Sequence, residues 1–203
     1  MKSVAVVDYG AGNLKSVLKA VRYLGYEASV TRSARDIQEA PAVILPGVGA
    51  ASPALDELEA RGLVEPLKAL VVEGRPLLCI CLGLQVLFES TEEGDRTCLG
   101  LLKGGVKRLP PGLKVPHMGW NLVRQKKPHP LFEGVPDPSY FYFVHSFYAA
   151  PEEHALVAGD TEYGVTFASV IVRNSLVATQ FHPEKSGELG LRVLRNFLAS
   201  ARP

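Results

Sequence analysis

The chain has 203 residues, a length that suits one α/β domain with a substantial buried core. Its formal net charge is +1 and 21% of its residues are charged, so the clustered basic face of a nucleic-acid binder is not expected. No apolar run approaches the ~18 residues of a membrane span, the apolar N-terminal stretch is too short for a secretory signal, and three cysteines do not make a disulfide framework, so a cytoplasmic protein is expected.

Residues 3–8 (SVAVVD) form a short β-branched run, followed by glycines and an amphipathic stretch from Leu14 to Leu24: strand, turn, helix. The unit recurs at 42–47 (AVILPG) and at 76–81 (PLLCIC), the latter leading into LGLQVLFES, which reads as helical. Apolar runs bounded by Gly and Pro, alternating with helices, imply an α/β fold of three layers around a mostly parallel central sheet. From about Gly100 the texture changes to short β-rich pieces at 104–109, 119–124, 140–149, 164–173 and 176–181. These predict an antiparallel extension of the same sheet. The spacing of Leu189, Val193, Leu194 and Phe197 predicts a closing helix over 186–199. The Pro-rich segments 109–116 and 126–139 are expected to be surface loops. No repeat or linker divides the chain, so one domain over 1–203 is expected.

Four segments could carry chemistry. Gly10-Ala11-Gly12-Asn13 follows the first strand, but the third glycine of a dinucleotide-binding turn is replaced by Lys15 and no acid closes the next strand, so a structural turn is expected. Pro46-Gly47-Val48-Gly49 follows another strand, and its glycines permit close approach of backbone to a ligand. It could supply an oxyanion N–H or be an ordinary turn. Cys81 stands where a buried strand turns into Leu82-Gly83-Leu84-Gln85. A nucleophile at such a turn is thrust out at the strand end, and the following helix offers free N–H groups to hold an oxyanion. A buried core cysteine is the competing reading. Cys79, Cys81 and Cys98 could also suggest a metal, but no second close pair or spaced His cluster completes a ligand set, so neither metal nor cofactor is expected. Finally, His182-Pro183-Glu184 closes the strand-like LVATQF. In extended backbone, residues two apart point the same way, so Glu184 could orient His182 as the base of a nucleophilic triad.

Taken together, the Pro46–Gly49 turn, Cys81-Leu82-Gly83-Leu84-Gln85 and His182-Pro183-Glu184 resemble the class I (triad-type) glutamine amidotransferases over nearly the whole chain. The Pro-Gly-Val-Gly form of the turn, Asp8–Asn13, Pro116-His117-Met118-Gly119-Trp120-Asn121 and His145-Ser146-Phe147 are similar to the branch of that family that serves imidazole glycerol phosphate synthases in histidine biosynthesis. Other glutaminase branches fit less well, because of Val48 between the glycines and the His-Met-Gly-Trp-Asn run. A cysteine peptidase or chaperone-like relative should lack the glutamine grip, and a relict scaffold should have lost part of the triad. One departure stands out: the family usually has Gly two residues before the nucleophile, where this chain has Cys79. The resemblance implies hydrolysis of L-glutamine by Cys81, His182 and Glu184, with backbone N–H groups of Val48 and Leu82 holding the oxyanion. It implies that Gly49, Gln85, Glu93 and Ser146 grip the glutamine. It also implies a (β/α)8-barrel cyclase partner in a 1:1 heterodimer, with Asn13, Met118, Trp120, Tyr142 and Lys185 facing it.

Overall fold

The computed structural model describes residues 3–10 and 12–201; Ala11 of the first glycine-rich turn and the two ends of the expected domain lie outside the described residues. The first half of the chain runs β1 (Val4–Val7), α1 (Leu14–Tyr23), β2 (Ala28–Thr31), α2 (Ala34–Glu39), β3 (Val43–Leu45), α3 (Ala51–Ala60), α4 (Val64–Val72), β4 (Leu77–Ile80) and α5 (Leu82–Gln85). The second runs β5 (Ser90–Thr91), β6 (Arg96–Thr97), β7 (Gly104–Arg108), β8 (His117–Gln125), β9 (Ser139–His145), β10 (Phe147–Pro151), β11 (Val157–Glu162), β12 (Thr166–Arg173), β13 (Leu176–Thr179) and α6 (Gly187–Ser200).

Strands β2, β1, β3, β4 and β13 lie side by side in that order, all parallel. β12 joins β13 antiparallel, and β10 and β7 continue in that sense towards a short edge of β5 and β6. β12 also pairs with β11, which carries β8 and then β9. The expected parallel sheet with an antiparallel extension is therefore present.

Alternation of side chains along the strands sorts the core into two halves. Ala5, Val7, Val43, Leu45, Leu77 and Cys79 pack with Ile37, Leu55, Leu58 and Leu67 from α2, α3 and α4. Val4, Val6, Ile44, Leu78 and Ile80 pack with Val17 and Val21 of α1 and Val193, Leu194 and Phe197 of α6. The sheet is thus the middle of three layers, and burial of both faces is why its strands read as unbroken apolar runs. No helix among the described residues is long and apolar enough to cross a membrane.

The structure corrects four local expectations. LGLQVLFES is helical only over Leu82–Gln85. The carbonyls of Val86, Leu87 and Phe88 accept instead from the backbone N–H groups of Leu99, Leu101 and Gly100 at 2.8–2.9 Å, so the helix ladder stops. The segment 126–139 is not wholly a surface loop: its Pro130–Phe132 turn buries Leu131 and Phe132 against α6. The strand expected over 140–149 divides at Ser146 into β9 and β10, which pair with different neighbours. Strand β11 went unread because its Gly159, Asp160, Thr161 and Glu162 look like a loop. A register shift on both sides of Gly159 breaks its alternation, yet it carries β8 and β9 onto the sheet.

Packing of α6 reaches the site through Gly190, whose missing side chain leaves room for the Pro183 carbonyl and lies where a Cβ would be 2.6 Å from Ser186 Cβ. Gly190→Ala should therefore cost about 1–3 kcal/mol by overpacking, read as a lower urea midpoint at unchanged m-value.

Candidate active site

Three segments converge because β4 lies between β3 and β13, and all three strands run the same way. Their carboxyl ends lead into the Pro46–Gly49 turn, Cys81 and Gln180–His182 respectively. Open α/β sheets place ligand sites at this edge.

Cys81 has φ 55 and ψ −106, a left-handed backbone that a side-chain-bearing residue rarely adopts. Its N–H donates to Thr179 O at 2.7 Å, which holds the turn to β13. The reversal also separates the two neighbouring thiols. Cys79 belongs to the α3/α4 half of the core and Cys81 to the other, so the shared face that a regular strand would give a Cys-x-Cys pair does not exist. Burial pushes the Cys79 thiol far up. All three cysteines are free, and the described residues hold no cluster of three or more His, Cys, Asp or Glu side chains suited to a metal.

Glycine is required where β3 and the elbow touch. A Cβ on Gly83 would run into Leu45 O, and one on Gly47 would sit 2.6 Å from Leu82 Cβ. The turn that follows β3 is held from behind by Tyr9, a fully buried residue whose hydroxyl donates to Pro46 O at 2.8 Å. Gly49 has φ +98 with open space around it. Leu82 is the first residue of α5, so its N–H has no earlier carbonyl within the helix.

His182 Nδ1 lies 2.8 Å from Glu184 Oε1, and both side chains are only 1% exposed. The convergence expected of extended backbone is instead produced by a turn. His182 is extended, but Pro183–Lys185 form a 3-10 turn with Pro at its start. Lys185 N–H and Ser186 Oγ both close onto His182 O, at 3.1 and 2.6 Å. His182 N–H donates to Tyr142 O at 3.0 Å, tying the base to β9. Burial is the largest influence on His182 and disfavours its charge, yet the neighbouring Cys81 and Glu184 raise its pKa to about 9. Nε2 itself has no partner in hydrogen-bond geometry. The Cys81 thiol lies 3.7 Å from Val144 O.

Val48, Gly49, Cys81, Leu82, Gln85, Glu93 and Ser146 line one cleft of about 360 Å3, together with Pro116, Val144, His145, Phe147 and Lys185. Every residue expected to grip glutamine or to offer an oxyanion N–H is thus brought to Cys81, while His182 and Glu184 sit buried behind it. Glu93 is pinned by the Ala51 N–H, 2.7 Å from its Oε2. The residues expected to face a partner gather less completely. Met118 and Trp120, 61% and 55% exposed, are two apart on β8. Trp120 packs edge-on to Tyr142 at 6.2 Å, and Lys185 Nζ lies 6.0 Å from the Tyr142 ring. Asn13 precedes α1, which packs on the Pro183–Lys185 turn.

Sequence reasoning assigned no individual role to Tyr9, Gln180 or the pair His117–His145. Gln180 stood beside His182 in the sequence, but only the fold aims it at Cys81, 3.5 Å from Sγ. The two histidines are adjacent across β8 and β9, with His117 Nδ1 3.0 Å from His145 Nε2. His145 Nδ1 donates to Phe147 O at 2.8 Å, and His117 Nε2 takes the Asn121 amide at 3.3 Å. That directional chain is complete with both rings neutral.

The family model for Glutamine amidotransferase class-I matches residues 5–201. The chain belongs to the class I glutamine amidotransferases. Within them it is 55% identical to the imidazole glycerol phosphate synthase subunit HisH of Dehalococcoides mccartyi (strain CBDB1), over 98% of this chain and 97% of that one. It is 54% identical to the subunit of the same name from Moorella thermoacetica, over 97% and 94%. Solved structures share the fold at greater distance. One, of a glutamine amidotransferase, has a TM-score of 0.77 at 21% identity, covering 98% of this chain and 99% of that one. Another, PurLQS from Thermotoga maritima, has a TM-score of 0.77 at 19% identity over the full length of both chains. The fold is therefore shared at sequence identities of 21% and 19%.

Opposite shifts of the site's histidines predict a two-sided pH dependence of stability. Burial lowers His145 to about 3 and His117 to about 4. Between those values and the unfolded value near 6.5, the unfolded chain binds more protons, so stability falls as pH drops through that window. His182 has the opposite sign: its contribution is complete below ~6.5 and is lost as pH rises through about 9. Urea unfolding from pH 4.5 to 9.5 should show both limbs. His117→Phe should shrink the acid limb to the share of His145, since a Phe ring can keep the stacking on Tyr163 and Phe143, and Glu184→Gln should flatten the alkaline one.

Proposed function

We propose that this chain is the glutaminase subunit of an imidazole glycerol phosphate synthase, releasing ammonia from L-glutamine for a cyclase partner. The observation that carries the reading is the left-handed Cys81 elbow beside the buried His182–Glu184 pair, with Cys81 lining a cleft of about 360 Å3. The curated relatives' name, with its word "subunit", supports both the activity and the existence of a partner.

In the proposed reaction, Cys81 Sγ attacks the side-chain amide carbon of glutamine with its proton already held on His182 Nε2, whose raised pKa favours the imidazolium. The carbonyl oxygen becomes an oxyanion held by the N–H groups of Leu82 and Val48. His182 returns the proton to the amide nitrogen, the C–N bond breaks, and ammonia leaves a thioester on Cys81. Water, deprotonated by His182, cleaves the thioester to glutamate and restores the thiol. Glu184 holds the ring with Nε2 turned to the sulfur and stabilises the imidazolium. Gly49, Gln85, Glu93 and Ser146 position the amino acid end of the substrate. The partner is a (β/α)8-barrel cyclase in a 1:1 complex, docked on the patch of Met118, Trp120, Tyr142 and Lys185. Lys185 also lines the cleft, which supports docking beside the outlet for ammonia. The assembled enzyme is cytoplasmic.

Cys81→Ser should abolish glutamine-dependent synthesis in the complex while leaving synthesis from added ammonium intact. Glutamine-dependent turnover near the wild-type rate would remove the assignment. Glu184→Gln should slow kcat by as much as ~10⁴ with little change in KM. The Val48 donor is tested separately. Val48→Pro deletes that N–H, and a folded variant in complex with the cyclase should lose ~10²–10³ in glutaminase turnover. Full activity would show that Val48 is not the donor.

A further inference from the structure

Behind Cys81, the fully buried side chain of Gln180 lies between two groups of the site. Its Nε2 is 3.5 Å from Cys81 Sγ, and its Oε1 accepts from Gln85 Nε2 at 3.1 Å. Gln85 Nε2 also donates to Phe147 O at 2.7 Å. These contacts have a direction. A backbone carbonyl can only accept, so the Phe147 oxygen requires Gln85 to present its amide nitrogen. That nitrogen has two hydrogens, and the second can go only to an acceptor, which orients Gln180 with its oxygen towards Gln85. The Gln180 nitrogen must then face the sulfur. A flipped Gln180 would set oxygen against Sγ and nitrogen against nitrogen.

The sulfur therefore has two polar neighbours of opposite character. Val144 O, at 3.7 Å, takes the thiol proton and can serve only the neutral form. The Gln180 N–H serves the anion and gains strength as negative charge appears on sulfur. We infer that Gln180 is a further catalytic residue of this site: it donates a hydrogen bond to the Cys81 sulfur that favours the thiolate, with its direction set by Phe147 O through Gln85. The inference rests on Cys81 being the nucleophile proposed above. It also gives Gln85 a second duty, since both its amide hydrogens are used inside the protein and only its Oε1 is left for a ligand.

The test reads the sulfur directly and needs no turnover. Iodoacetamide alkylation of Cys81 is followed by mass spectrometry of its peptide as a function of pH, in the complex with the cyclase and in the subunit alone. Gln180→Met keeps the length and loses the donor. Gln180→Glu keeps an acceptor for Gln85 and sets a carboxylate against the sulfur. Hydrogen bonds to charged groups are typically worth about 1.5–3 kcal/mol. Alkylation at pH 7 should therefore slow about ten-fold or more in Gln180→Met and further in Gln180→Glu, with the pH profile displaced upward in that order. A space-filling role predicts unchanged profiles, and rates within two-fold of wild type in folded Gln180→Met would overturn the proposal. If the Gln180 variants do not fold, chains that keep Gln180 still decide. The Gln180 Nε2 proton resonance should move upfield in Cys81→Ala, and an unmoved resonance is equally fatal. Failure of the glutaminase reading would show separately, as glutamine turnover surviving in Cys81→Ser.

Discussion

A single left-handed residue, Cys81, sets the geometry around which the site is built. It ends β4, held between β3 and β13 in the parallel sheet, by reversing the backbone within one position, and this takes its thiol out of the half of the core that holds Cys79. Such a conformation costs of order 1–3 kcal/mol and persists only when its surroundings determine it. The surroundings here are the Thr179 carbonyl, which takes the Cys81 N–H, and the close stacking of Gly47 and Gly83 between β3 and α5. Sheet packing, glycine placement and exposure of the thiol to the cleft are one constraint seen at three scales.

The second determinant is the burial of His182 and Glu184. Two nearly inaccessible side chains in contact would be unfavourable if left unpaired, and the local turn gives them each other. Pro183 starts the turn, Ser186 and Lys185 close it on the His182 carbonyl, and Gly190 lets α6 seat against it. The same burial that would keep an isolated imidazole neutral is overcome here by Glu184 and Cys81 together. A base whose proton affinity depends on the nucleophile beside it suits a reaction in which the proton leaves and returns.

Much of this was readable in the chain alone. Residues 3–8, 42–47 and 76–81 announced parallel strands because strands buried on both faces have no polar alternation to hide them. Cys81, the Pro46–Gly49 turn and His182-Pro183-Glu184 stood out because each combines reactive or flexible residue types with a strand end. Local patterning failed where the tertiary structure overrides it. Strand β11 is polar and interrupted at Gly159, so nothing local marks it, and only its neighbours β8 and β12 make it a strand. The apolar residues after Gln85 read as helix because they are buried, but their carbonyls are claimed by residues 99–102, and no local rule anticipates that competition.

The sequence by itself determined the layers, the reactive residue types and their order, since periodicity and turn chemistry are properties of neighbours along the chain. The tertiary structure alone decided which groups touch. It placed Tyr9 against Pro46, joined His117 to His145 across two strands, and aimed Gln180 at Cys81. Residues 99 positions apart meet because β13 happens to insert beside β4. Parallel neighbours need a connection of a dozen residues or more between them, and nothing in their own composition names the strand they will join.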